Sequence, residues 1–241
     1  MNNLDQKFQE IRHFCEQNAN PEIVKKYSKF FNEGYDAYGL SQEIFETQRD
    51  KWLELWKDEM SVEEYVLLGE KLIATGKYEE ASFAITFLYK NINNISTTMF
   101  EIIGFWLENG ISNWAHTDVL SGKVLGYFIV NQKVTIEVFT KWTKSQSIWK
   151  KRAIPVTLIE ALKNDFSLKR ILAIIDPLML DPAKKVQQGL GWLLREAWKI
   201  HPVETEDFLM KWKDTCGRTI IQYATEKMDK NYRLKFRKLK K

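Results

Sequence analysis

Proline and glycine are scarce in this chain, 5 and 11 among 241 residues. That scarcity argues against a turn-rich all-β design, and with 44% hydrophobic residues it also argues against disorder. The two cysteines, Cys15 and Cys216, are too few and too far apart for a disulfide framework or a cysteine metal site, so reduced thiols are expected. His13, His116 and His201 have neither metalloprotease spacing nor cysteine partners, and no metal is assigned. No Gly-rich phosphate loop and no Ser-His-Asp order appears, so no nucleotide or other cofactor is expected. Nor is there an apolar run long enough to cross a membrane. The opening MNNLDQKFQEIRHF lacks the continuous apolar segment of a signal peptide, which makes the cytoplasm the expected compartment.

What is present is uneven charge. The net value of +4 hides 11 basic and 20 acidic residues in 1–120 against 25 and 12 in 121–241, so the halves carry −9 and +13. A basic surface on the second half is the kind that meets a polyanion. Part of it is the tail, residues 230–241, where Arg233, Lys235, Arg237, Lys238, Lys240 and Lys241 stand without an acid in NYRLKFRKLKK. Without those cations the second half is still at +7.

Apolar spacing predicts helices almost throughout: 3–17, 21–31, 41–58, 62–75, 78–91, 97–108, 113–130, 132–144, 148–163, 167–179, 182–200, 202–214 and 217–236. Asn20-Pro21-Glu22 supplies a cap, a proline at the first helical position and a first-turn acid. Asp181-Pro182 repeats that device, Ser61 with Glu64 forms a capping box, and Gly76, Gly110 and Gly217 are expected to stop helices in the left-handed conformation. Short connections force successive helices to pack antiparallel, in pairs recurring every thirty to forty residues from about residue 61. The expected architecture is therefore all-α, one domain over 1–241, a single curved solenoid of degenerate HEAT- or armadillo-like repeats with a concave inner surface.

Three stretches carry residues suited to chemistry. In KKVQQGLGWLLREAWK, Val186, Leu190, Leu193, Leu194 and Ala197 form the buried stripe. Trp192 falls off it, in line with Gln188, Arg195 and Lys199, so an indole stands among amides and cations on a face suited to an anionic, stackable partner. In ISNWAHTDVLSG, Asn113 opens a helix on which Trp114 and Asp118 lie one turn apart, beside the small Ser121 and Gly122. Taken alone, that pair proves nothing and reads first as a solvated acid next to a packing tryptophan. In IWKKRAIPVTLIEALK, Lys150, Lys151 and Arg152 crowd a helix start, as Lys184 and Lys185 do later. Cations at a positive helix end fit an external anion such as a phosphate, although each lysine alone could be plain solvated charge.

These stretches resemble the AlkD-like DNA glycosylases of the DNA alkylation repair family, which are HEAT-repeat proteins. The likeness rests on Asn113-Trp114-x-x-x-Asp118, Trp149-x-x-Arg152-Ala153 and Val186-Gln187-x-x-x-Gly191-Trp192-x-x-Arg195-Glu196, and it extends over roughly residues 20 to 225. It departs at Ala115, where relatives often have an acid, and at Gln188, where they often have lysine. Near the N-terminus it rests loosely on Tyr38-Gly39. The resemblance implies an active-site aspartate at Asp118, an arginine at Arg152 and cleft tryptophans at Trp114 and Trp192. Lys150, Lys151, Lys184, Lys185, Gln188, Arg195 and Lys199 are the expected DNA contacts. It further implies a monofunctional glycosylase at the nucleoid, hydrolysing the N-glycosidic bond of cationic N3- or N7-alkylated purines in double-stranded DNA; a monomer is expected, because a solenoid engaging a duplex needs no symmetry partner. A shallow cleft that grips the backbone is implied as well, and no deep aromatic pocket motif is visible in the sequence. Two other readings stay open: a non-catalytic relative that binds branched or distorted DNA, and a scaffold whose tryptophans anchor another protein.

Overall fold

The computed structural model describes residues 3–238, and every regular element among them is helical. The fold is all-α. The described residues gather in two compact units divided between Val119 and Leu120. That division coincides with the change of charge, so the first unit is acidic and the second basic.

The first unit holds α1 (Asn3–Gln17), α2 (Pro21–Ser28), α3 (Gln42–Trp56), α4 (Val62–Ala74), α5 (Tyr78–Lys90), a 3-10 turn at Ile92–Asn94, α6 (Met99–Asn109) and α7 (Trp114–Val119). Its helix starts follow the predicted chemistry. The Asn20 side chain accepts from the N–H groups of Glu22 and Ile23, with Pro21 in the first turn, and the Ser61–Glu64 capping box is formed in both directions. α4 and α5 pack against one another through a connection of only Thr75, Gly76 and Lys77. The core beneath them is aromatic: Trp52 lies 5.2 Å from Phe83 edge to face, and Phe83 stacks 5.9 Å from Phe87.

In the second unit a π-helical stretch, Leu120–Leu125, leads into α8 (Gly126–Val130). A 3-10 turn, Ile136–Val138, then runs into α9 (Phe139–Trp142). The rest is α10 (Ile148–Lys163), α11 (Leu168–Ile175), a 3-10 turn at Asp176–Leu180, α12 (Lys184–Ile200), α13 (Pro202–Trp212), α14 (Arg218–Ala224) and a last 3-10 turn at Tyr232–Phe236. α12 is the hub. Its predicted stripe of Val186, Leu190, Leu193, Leu194 and Ala197 is wholly buried, worth about 1.5 to 3 kcal/mol for each larger member. Two glycines let its neighbours close in. A Cβ at Gly189 would meet Pro155 of α10 at 3.2 Å, and one at Gly191 would meet Tyr223 Cβ of α14 at 2.4 Å.

Several local expectations are corrected. The helix foreseen over 113–130 is interrupted by the π-helical stretch, because apolar periodicity does not distinguish bonding to the fourth residue from bonding to the fifth. The helix foreseen over 132–144 shrinks to residues 136–142, since the chain leaves α8 through Gln132 at φ 54°. That over 217–236 ends at Ala224. Asp181 does not cap α12 directly; the helix starts at Lys184 after Ala183, whose N–H Asp181 accepts at 2.8 Å. Of the three expected glycine stops only Gly76 is left-handed. Gly110 and Gly217 have negative φ and instead leave room for close neighbours, Ile73 and Gln187. In the tail, Phe236 is buried and Lys235 bonds Glu206 at 2.5 Å. Lys240 and Lys241 lie outside the described residues.

Candidate functional site

Trp114 and Asp118 belong to the first unit, both partly exposed on α7. Buried Asn113 fixes the start of that helix, its Oδ1 accepting from the His116 N–H at 2.9 Å. Its amide nitrogen then faces His116 Nδ1 at 2.8 Å, so Nδ1 accepts and the ring proton sits on Nε2. From there it is donated to Ser82 Oγ, 2.8 Å away, and Ser82 donates onward to the Tyr78 carbonyl. Burial pushes the His116 imidazole down to about 3, so it is neutral. The Ser82–His116–Asn113 alignment thus runs the wrong way to activate a serine, and its work is to hold α7 against α5.

Trp114 is fixed from two sides. Its Nε1 donates to the Phe30 carbonyl at 3.1 Å, and its ring stacks 5.8 Å from Phe31. Phe31 in turn stacks on Tyr35 at 4.6 Å. These rings border a cavity of about 640 Å³, walled also by Tyr27, Phe30, Phe45 and Tyr78, with Lys26, Gln42, Ser82, Ala115 and Glu79 as its main polar and small neighbours. No sequence motif announces this cavity. Most of its rings come from IVKKYSKFFNEGYDAYGLSQEIF, whose loop residues follow no helical period. Their density alone, aromatics at 27, 30, 31, 35, 38 and 45, was the available signal.

The loop that carries these rings is held by Glu79. Its Oε1 accepts from the N–H groups of Gly39 and Leu40 at 2.7 and 3.2 Å, and its Oε2 from that of Tyr38 at 2.8 Å. Burial, and then nearby Glu79, raise the hydroxyls of Tyr35 and Tyr78 above the usual tyrosine range. The Tyr38 hydroxyl donates to Glu80, so the Tyr38-Gly39 pair is a structural latch.

The remaining expected residues lie in the second unit. Arg152 is buried, and its Nη1 donates to the Lys185 carbonyl in the first turn of α12 at 2.7 Å. Lys151 pairs with Asp181 at 2.5 Å, and Lys150 sits 5.1 Å over the Trp142 ring. Lys184 is exposed and Lys185 half-buried. The crowded helix starts are therefore partly compensated by an acid that no local pattern had linked to them. On α12, Trp192 is half-buried beside Gln188, whose amide donates to the Tyr223 hydroxyl at 2.8 Å. Arg195 bonds Glu196 and Glu226, and Lys199 bonds Glu196 at 2.6 Å. Burial raises Glu196, but the hydrogen bonds from Lys199 and Arg195 outweigh it and hold the carboxyl below its ordinary range.

Among the described residues no group of His, Cys, Asp and Glu could hold a metal ion, and no helix is long and apolar enough to cross a membrane. Residues 11–228 match the family model described as DNA alkylation repair enzyme. A solved structure described as a predicted DNA alkylation repair enzyme from Enterococcus faecalis is similar in fold, with a TM-score of 0.73 at 14% identity. The match covers 88% of this chain and 98% of that one. No curated protein sequence matches the chain.

Proposed function

This chain belongs to the DNA alkylation repair enzyme family, and from that premise we propose that it is a DNA glycosylase releasing N3- or N7-alkylated purines from duplex DNA. The observation that carries the reading is the α7 pair: an indole fixed at ring and N–H, followed one turn later by the partly exposed Asp118. Alkylation of a purine ring nitrogen leaves the base cationic and weakens its bond to the sugar. When that C1′–N bond breaks, its electron pair stays with the base and neutralises it, leaving an oxocarbenium-like sugar. Asp118 stabilises that developing charge, an interaction that strengthens as water is excluded. Water then adds at C1′ and loses a proton, giving an abasic site and a free base.

In this reading Trp114 and Trp192 present electron-rich faces to the cationic nucleotide. Arg152, held by the Lys185 carbonyl, contacts a phosphate. Lys150, Lys151, Lys184, Lys185, Gln188, Arg195 and Lys199 line the approach of the duplex. The matched motifs and the +13 charge of the second half support this assignment. The protein acts as a monomer at the nucleoid.

The test is release of 3-methyladenine and 7-methylguanine from methylated duplex DNA by wild type and by Asp118→Asn. The reading expects release that falls at least about 100-fold in the variant, as for loss of one charge-stabilising group in a transition state. Equal release by both removes Asp118 from the mechanism. Duplex binding without release by the wild type assigns the chain to the non-catalytic DNA binders instead.

A further inference from the structure

The first unit is acidic, with 11 bases against 20 acids, yet a duplex that reaches Trp114 has to approach it. How those bases are placed decides whether it can. Lys7, Arg12, Arg49, Lys57, Lys71 and Lys77 each lie within ion-pair distance of a carboxylate, and Lys90 lies in the field of Asp50. Lys25, Lys26 and Lys29 are placed otherwise. They fall together in KKYSK at the end of α2, all three exposed, and among the described residues none has a carboxylate at that distance although acids are in excess. Two of them sit on rings instead: Lys26 Nζ lies 5.3 Å from the centre of the Tyr27 ring and Lys29 Nζ 5.2 Å from that of Phe30.

We propose that this patch grips the phosphate backbone of duplex DNA and is the first unit's own contact with the strand that passes Trp114. The inference rests on reading the chain as a duplex-DNA binder and uses no step of the glycosylase chemistry.

The rings are held outside by the backbone. Past α2 the chain keeps turning, the Phe30 N–H donating to the Tyr27 carbonyl and the Phe31 N–H to that of Ser28, both at 3.0 Å. Phe31 is thereby turned inward, buried and stacked 5.8 Å from Trp114, whereas Tyr27 and Phe30 stay 41% and 52% exposed with their rings 6.4 Å apart. Rings left in water add little to the fold. What they offer is an electron-rich face that holds an ammonium group in place before a phosphate arrives, so less side-chain freedom is lost on binding.

Charge and placement select the partner. Lysines that meet phosphates need no base sequence, and a cluster of them is the local cation that a polyanion requires on an otherwise repelling unit. Lys25 and Lys26 also stand in the last turn of α2, where the helix dipole favours cations. Lysines paired with acids would satisfy that dipole equally, so it leaves their unpaired heads unexplained. The Phe30 carbonyl accepts from Trp114 Nε1 at 3.1 Å, which puts the patch and the start of α7 on one surface of the unit. Phosphates held by Lys26 and Lys29 then flank the nucleotide that Trp114 meets.

The experiment measures binding of the full chain to an undamaged duplex by fluorescence anisotropy at several salt concentrations. Each lysine that neutralises a phosphate adds about 0.9 to the slope of log affinity against log salt, so the triple variant Lys25→Gln/Lys26→Gln/Lys29→Gln should lower that slope by about 2 to 3. Lys51→Gln is the control, an exposed lysine of α3 in the same acidic unit, and should leave the slope unchanged. Tyr27→Leu/Phe30→Leu should keep the wild-type melting temperature and bind at least about threefold more weakly, because the ammonium groups lose their platform. A triple variant that melts lower but keeps the wild-type slope assigns the lysines to the end of α2 alone and overturns the proposal. Ring variants with wild-type affinity overturn it too. So do vesicles of phosphatidylserine and phosphatidylcholine that bind wild type and not the triple variant while the duplex slope stays put, since the patch would then face a lipid surface. A wild type that binds no duplex ends the DNA reading itself, and the patch with it; a wild type that binds, with the slope unmoved in the triple variant, ends the patch alone.

Discussion

Gly39 donates its backbone N–H to Glu79 Oε1 at 2.7 Å, and it does so at φ 84°, with the Asn20 carbonyl where a side chain would stand. The latch that shapes the aromatic cavity therefore requires glycine twice, for the left-handed backbone and for the close approach. Gly39→Ala places a Cβ 2.2 Å from Asn20 O. It should lower unfolding free energy by at least about 2 kcal/mol, the sum of backbone strain and displaced packing. Urea unfolding checks this as a lower midpoint at constant slope; an unchanged midpoint means the loop relaxes at no cost.

Gly191 precedes Trp192 for a comparable reason, in a different setting. Its missing side chain lets α14 reach α12, with Tyr223 Cβ and the Ile220 carbonyl at 2.4 and 2.8 Å from a built Cβ. Gly191→Ala should cost about 1 to 3 kcal/mol as overpacking and weaken the Gln188–Tyr223 hydrogen bond. Gly122→Ala is the control, because nothing lies within 4 Å of its Cβ. If both variants melt at the same temperature, α12 and α14 are not held together at this point.

How much of this was legible in the sequence depends on range. The α12 stripe, the Asn20 cap and the Ser61–Glu64 box are encoded within one or two turns, and all are found as read. The motif residues were also recognisable, since their spacing is local. Their partners were not. Asp181 reaches Lys151 across 30 residues and Glu226 reaches Arg195 across 31, so a cation judged from its own helix looks more naked than it is. The cavity was hidden for a related reason: its rings sit on a loop whose shape is set by Glu79, some forty residues further on.

His116 makes stability depend on pH in a defined window. Its folded imidazole is pushed down to about 3 by burial, so it takes up a proton readily only when the chain unfolds. The unfolded state thus binds more protons below about 6.5, and stability falls as pH falls, by about 1.4 kcal/mol per unit well inside that range. Carboxyls held low in the fold, such as Glu137 and Glu206, lose their contribution only below about 4.5. Between pH 7 and 5 wild type should lose about 2 kcal/mol more than His116→Gln. Parallel pH profiles for the two proteins would show that the ring is protonated in the fold.

Salt dependence distinguishes cations that meet DNA from cations already occupied. Lys184 is exposed in the first turn of α12, where backbone N–H groups also favour a phosphate, while Lys235 in the tail is bonded to Glu206 at 2.5 Å. A lysine that neutralises one phosphate on duplex DNA adds about 0.9 to the slope of log affinity against log salt. Lys184→Ala should therefore lower that slope by about 0.9 and weaken binding at every sequence alike. Lys235→Ala should leave the slope as it was, because its charge is answered within the fold. Fluorescence anisotropy of an undamaged duplex, titrated at several salt concentrations, reads both. A loss of slope in Lys235→Ala equal to that in Lys184→Ala would mean that the tail leaves Glu206 for the phosphates, and that the second unit's DNA surface extends to its C-terminal turn.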